Sequence, residues 1–282
     1  MKMDTDYPKK EVLDTENTEV PSSTNESTQG FKIPTEIIEL PSRGLLYDKS
    51  SPLSSGTVEL KYMTAKEEDI LTTESFIKKG VVLDRFLESL IVTDGVKLDD
   101  FIIGDIDAIT VAARIFGYGN EYEVSISTPS GKKQMESIDL SEISLNFLED
   151  AYIKERGLNE FDFELPSSKV VISFKMLTQA DQKKLQQEID KNKKIFTGQS
   201  KLSSTQLKHQ IVSIDGNSDP KYIREFVDSA MLASDARALR KYIEGIQPGV
   251  NLSVEVTDRE TGETFPVDTP IGVQFFWPDA KV

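Results

Sequence analysis

The chain has no cysteine and a single histidine, His209, in 282 residues. The first absence excludes disulfide frameworks and thiolate chemistry, and the second removes most zinc sites and an ordinary Ser/His triad. Basic residues are also scarce: 33 Lys and Arg stand against 48 Asp and Glu, a formal net charge of −15. Phosphate backbones are held by basic faces, so a broad nucleic-acid footprint is excluded and only a local patch is left open. No apolar run approaches the roughly 20 residues that span a bilayer. The opening Met1-Lys2-Met3-Asp4-Thr5-Asp6 lacks the basic-then-apolar profile of a signal peptide. The expectation is a soluble intracellular protein with no membrane partner and a composition that leans away from catalysis.

What is present divides along the chain. Residues 1–30 are Thr, Ser, Asn, Glu and Lys with scattered Val12, Leu13 and Val20. That is too little apolar surface to offset the entropy of ordering, so a disordered acidic tail is expected. Leu40-Pro41-Ser42-Arg43-Gly44-Leu45-Leu46-Tyr47 reads as an extended, turn-rich segment, and Val58 to Met63 alternates like a half-buried strand. Thr64-Ala65-Lys66-Glu67 is a capping-box pattern that predicts a helix to about Ile77, stopping before Gly80. Leu83, Phe86, Leu87, Leu90 and Ile91 recur at helical spacing up to Thr93-Asp94-Gly95, and Ile102, Ile106, Ile109, Ala113 and Phe116 form one stripe of a core-facing helix. A hairpin turning at Thr128-Pro129-Ser130-Gly131 follows.

The same order then recurs. Leu165-Pro166-Ser167 echoes Leu40-Pro41-Ser42, a strand through Val170–Phe174 leads to Thr178-Gln179-Ala180-Asp181, and a charged helix runs to about Lys194. Leu207 to Gly216 reads as a helix entering an Asp-Gly turn; Asp219-Pro220 opens another, and Ser234-Asp235 caps one bearing Leu239, Tyr242, Ile243 and Ile246. A last hairpin turns at Asp258-Arg259-Glu260-Thr261-Gly262. Duplication explains this better than chance, so the expected fold is α+β, with two similar modules at 31–157 and 158–282, each packing small antiparallel sheets on helices.

Single residues that invite a chemical role have bland explanations beside them. His209 sits in a Lys/Gln-rich helical stretch with no carboxylate one turn away, and Glu67-Glu68-Asp69 occupies a first helical turn, where the helix dipole favours carboxylates. Gly117-Tyr118-Gly119-Asn120 follows a helix and precedes a strand, the reverse of the phosphate-loop order, and reads as a helix end. The lysines between Lys183 and Lys194 alternate with Asp181, Glu188 and Asp190 and read as a solvated face. A hydrolase built on two carboxylates would need a pair that nothing local supplies. No catalytic residue, metal or cofactor is expected.

The block Leu40–Tyr47, with Gly56-Thr57-Val58-Glu59-Leu60 and Met63-Thr64-Ala65-Lys66-Glu67-Glu68, resembles the opening of the baseplate hub and hub-assembly protein family of T-even-type contractile-tailed bacteriophages. Thr93-Asp94-Gly95, Tyr118-Gly119-Asn120-Glu121-Tyr122, Ile211 to Gly216 and the closing Phe275-Phe276-Trp277-Pro278 are similar to that family too. The resemblance implies a non-enzymatic hub component, or an assembly chaperone absent from the mature virion. It implies partners among other phage hub or tail proteins, with no nucleic acid or small-molecule substrate, in the host cytoplasm during assembly and at the tail baseplate. The contact surface is expected at Leu40, Pro41, Arg43, Leu46 and Tyr47 and at Phe275, Phe276 and Trp277. There bulky groups stand beside rigid prolines, with little entropy left to lose on binding.

Overall fold

Strand β1 (Thr35–Glu39) pairs antiparallel with β2 (Thr57–Lys61), which buries alternate residues Val58 and Leu60. These elements come from a computed structural model that describes residues 32–195, 202–269 and 271–276; the tail expected over 1–30 lies outside them. The capping box forms at the start of α1 (Ala65–Thr72): Glu67 Oε2 accepts from Thr64 N at 3.0 Å, while its Oε1 accepts from Lys61 Nζ at 2.7 Å. The single helix expected to Ile77 is two, because Thr73 leaves helical geometry at φ −70, ψ 103 before α2 (Glu74–Lys79). The adjacent Thr72 and Thr73 hydroxyls both donate back to Asp69 O, and such local bonds compete with the helical ladder. Gly80, at φ 68, ends α2, and α3 (Val82–Leu90) buries Phe86, Leu87 and Leu90. The apolar stripe forms α4 (Ile103–Tyr118), followed by the hairpin β3 (Glu121–Ser127) and β4 (Lys133–Asp139) and the short β5 (Leu145–Asn146).

The second half opens with β6 (Phe161–Glu164) and β7 (Val171–Phe174), then α5 (Gln179–Ile195) and α6 (Leu202–Gln210). Here the Leu207–Gly216 expectation is corrected: the helix ends at Gln210, and Ile211–Ile214 is a strand, β8, on the free edge of β7. A run of Ile-Val-Ser-Ile favours extended backbone, and Asp215 and Gly216 reverse the chain at φ 47 and 79. Next come α7 (Pro220–Glu225) and α8 (Ala233–Ile246), whose N-cap is Leu232, so Ser234 and Asp235 lie inside the first turn instead of capping it. Strands β9 (Gly249–Val250), β10 (Ser253–Thr257) and β11 (Thr264–Asp268) follow. The chain end bearing Phe275 and Phe276 is a one-turn helix, α9 (Val273–Phe276).

Every sheet is small and antiparallel, in the orders β1-β2, β3-β4, β5-β9, β6-β7-β8 and β10-β11, so the fold is α+β. Residues Ile33–Val282 form one compact unit, and one cluster of buried apolar side chains runs from Leu40 to Phe276. The stretches 31–157 and 158–282 therefore interlock. Strand β5 of the first pairs with β9 of the second, and the first turn of α4 lies against the Pro248–Gly249 backbone. A Cβ on Gly104 would come within 1.8 Å of Pro248 O.

Candidate functional site

The segment Leu40–Tyr47 is a clasp around one buried carboxylate. Asp105, in the first turn of α4 and 0% exposed, accepts from Ser42 N at 2.8 Å, Ser42 Oγ at 2.6 Å and Tyr47 Oη at 2.5 Å. Tyr47 Oη in turn accepts from Ile102 N at 2.9 Å, just before the helix begins. Burial raises the Asp105 carboxyl and the three donors work against it, with burial prevailing. Burial and the neighbouring Asp105 charge push the Tyr47 phenol well above its ordinary range. Gly44, at φ 71, allows the turn to press on the Leu53–Gly56 backbone, where a Cβ would meet Gly56 N at 2.5 Å. Leu148 N donates to Pro41 O, and Gly157 N to Leu45 O.

Of the residues expected at a contact surface, Leu40, Pro41, Leu46 and Tyr47 are buried, and their side chains pack within the protein. Arg43 is exposed, with Nη1 on Asp150 Oδ2 at 2.8 Å. At the other end Phe275 and Phe276 are each 0% exposed and pack on the first half: Phe276 meets Phe86 at 4.6 Å between ring centroids, and Phe275 meets Tyr122 at 5.0 Å. Arg114 fastens them, donating to Phe275 O, Gly119 O and Glu121 O while its guanidinium lies over the Tyr118 and Tyr122 rings. Trp277 lies outside the described residues.

The clasp has a counterpart. Ser167 N and Ser168 N donate to the two oxygens of Asp235 in the first turn of α8, at 2.8 and 3.0 Å, as Ser42 does to Asp105 in α4. Burial raises the Asp235 carboxyl, but the bonds from Ser167 and Ser168 outweigh it and leave the group below its usual range. Lys175, Thr178 and Asp181 likewise repeat the arrangement of Lys61, Thr64 and Glu67.

Three other residues that invited a chemical reading have structural roles. His209 Nε2 lies 3.0 Å from Glu188 Oε2 of α5, a partner 21 positions away that local spacing does not reveal. Lys183 bridges Asp84 and Asp99. Gly119 closes α4 at φ 83. Among the described residues no group of three or more His, Cys, Asp or Glu is placed to hold a metal ion, and no helix is long and apolar enough to cross a membrane.

One feature had no sequence signal: a cleft of about 570 Å³ between β4 and β10. The tips of the two hairpins are tied together. Gln134 Nε2 donates to Thr257 O at 2.9 Å, Arg259 N donates to Gln134 Oε1 at 3.1 Å, Arg259 Nη2 caps Met135 O, and Lys132 pairs with Glu260. At the far end β5 pairs with β9. Between these ties β4 and β10 run antiparallel without pairing, and the cleft opens between their edges. Only the meeting of two hairpins about 120 residues apart creates it, which is why spacing along the chain could not announce it.

No curated protein and no solved structure matches the chain. The family model for the T4 bacteriophage base plate protein matches residues 46–277, across the second clasp and the hairpins β3–β4 and β10–β11. A match of that extent makes the chain a member of the T4 bacteriophage base plate protein family.

Proposed function

We propose that the chain serves the hub of a contractile-tail baseplate as a non-enzymatic building or assembly component, and that its two halves arose by internal duplication. The family match over residues 46–277 carries this reading, since it covers most of the folded body of the chain and suggests partners among phage structural proteins. The non-enzymatic part is supported by the use to which the buried ionisable groups are put: Glu67, Asp105, Arg114, Asp181 and Asp235 all bind the protein's own backbone or caps. The duplication is supported by the recurrence of the serine clasp, the Lys/Thr/acid cap and the closing hairpin in one order. A second reading, a transient assembly chaperone, draws on the net charge of −15, which favours solubility and reversible contact.

Mass spectrometry of purified phage particles and of baseplate intermediates from infected cells separates these. A building role gives peptides of this chain in both samples, and a chaperone gives them in intermediates alone. Absence from both overturns the hub reading.

A further inference from the structure

The cleft between the hairpins is bordered by strand edges whose hydrogen-bonding groups have no partner strand. In the β3–β4 ladder Thr128 N donates to Lys132 O and Leu140 N to Asn120 O, which fixes the parity: Gln134, Glu136 and Ile138 bond to β3, while Met135, Ser137 and Asp139 turn their N–H and C=O groups away from it. In the β10–β11 ladder Asp258 N donates to Glu263 O and Thr269 N to Leu252 O, so Ser253, Glu255 and Thr257 face away from β11. The bonds across the tip confirm that these two edges face each other, because Arg259 takes Met135 O and Gln134 takes Thr257 O. Beyond them Ser137 on β4 and Glu255 on β10 carry outward backbone groups with no hydrogen-bond partner among the described residues. The opposite edge of the second hairpin is blunted: Pro266, paired with Glu255, stands at the outward position of β11 and has no N–H to offer.

The side chains around the cleft have a chemical pattern. Ile138, Val254 and Val256 lie on the buried or half-buried face of the two strands. Glu142 and Glu255 line the same cleft and form no ion pair among the described residues; Glu136 there is paired with Arg259, and Asp139 adds a further carboxylate, which accepts from Ser141 N. We infer that the cleft receives a short extended segment of a partner protein, hydrogen-bonded along the Ser137 and Glu255 edges, with apolar side chains turned to Ile138, Val254 and Val256 and Lys or Arg on the other face. Strand addition of this kind takes its affinity from backbone hydrogen bonds and its selectivity from alternate side chains. The chain's own first 31 residues fit the cleft poorly, since they hold three lysines against seven carboxylates and would set like charges together.

The inference goes beyond the hub reading and does not depend on it, because the site is defined by backbone edges and charge and tested without phage particles. The probe is a short, end-blocked, fluorescently labelled peptide alternating valine and lysine, with its valine–glutamate counterpart as control. Both are added to the full chain and followed by anisotropy and backbone hydrogen exchange. The basic peptide is expected to bind and to protect the Ser137 and Glu255 amides, and the acidic one to bind at least about tenfold more weakly. Ser137→Pro and Glu255→Pro each remove an N–H that the hairpins do not use. They should lower the affinity about tenfold with little change in thermal midpoint. Should either proline variant misfold, the double substitution Glu142→Lys with Glu255→Lys should reverse the preference between the peptides. Equal binding of the two peptides, or binding that leaves the Ser137 and Glu255 amides unprotected, overturns the inference. So does protection of those amides in the full chain before any peptide is added, which would mean that the chain or a second copy already fills the cleft.

Discussion

Tyr47 and Asp105 show how much depends on single buried polar groups. Tyr47 Oη is at once donor to Asp105 and acceptor from Ile102 N, so Tyr47→Phe leaves a buried carboxylate one donor short and a backbone N–H without a partner. An unsatisfied buried group costs about 1–3 kcal/mol, so the loss in unfolding free energy is expected at about 2–4 kcal/mol in a urea titration. The ring stays in place, so this isolates the hydroxyl. Arg43, in contrast, pairs with an Asp150 side chain that is 71% exposed, and exposed pairs contribute at most about 1 kcal/mol. Asp107 on α4 has a different signature. Burial pushes its carboxyl up to about 6 from an ordinary value of 3.8. A raised carboxylate binds its proton more tightly in the folded state, so its ionisation weakens the fold as pH rises from about 4 through 6. Asp107→Asn should therefore stabilise the protein at neutral pH, by roughly 2–3 kcal/mol at 1.36 kcal/mol per pKa unit, and the gain should vanish below about pH 4. A difference between the two proteins that does not change across that window would refute the assignment.

At the scale of elements, the helices obey local signals until a side chain or a neighbouring backbone intervenes. The capping box at Thr64 and the left-handed glycine at Gly80 mark the outer limits of the α1–α2 stretch, but the paired threonines split it. Gly104 and Gly245 make the matching point about packing. Both lie inside helices, where alanine is favoured over glycine by about 1 kcal/mol. A Cβ at Gly245 meets nothing within 4 Å, so Gly245→Ala should stabilise the chain by up to about 1 kcal/mol. A Cβ at Gly104 meets Pro248 O at 1.8 Å, a contact no relaxation of a side chain can relieve because the obstacle is backbone. Overpacking costs about 1–3 kcal/mol or more, so Gly104→Ala should destabilise despite its helix propensity. Thermal unfolding of the two variants side by side checks the opposite signs.

For the whole molecule, the last described residues are structural members of the first half. Phe276→Ala would empty a site among Phe86 and Phe275 and should cost about 3–5 kcal/mol, as buried Phe truncations do. With one core cluster spanning Leu40 to Phe276, denaturation should be a single transition whose midpoint shifts for probes placed in either half. Two transitions, or a shift confined to one half, would show that the halves fold as separate modules.

The amino-acid sequence by itself determined the nature and order of the elements with strong local signals. Capped helices, the stripe from Ile102 to Phe116 and the two closing hairpins depend on contacts within a few residues, and the missing thiolates and lone histidine limited the chemistry before any folding was considered. The clasp segment was legible as a special stretch, but its role was not. Leu40, Leu46 and Tyr47 look the same in sequence whether they face a partner or a core, and the decision rests with Asp105, some 60 positions on. The same holds for Phe275 and Phe276, whose pockets are built by Phe86 and Tyr122. Strand β8 differs from the helix expected there because Ile211-Val212-Ser213-Ile214 is too short for a period to separate helix from strand, and the free edge of β7 settles it. The cleft between β4 and β10 belongs wholly to tertiary structure: each hairpin is a local object, but unpaired edges facing each other exist only once the two tips are tied.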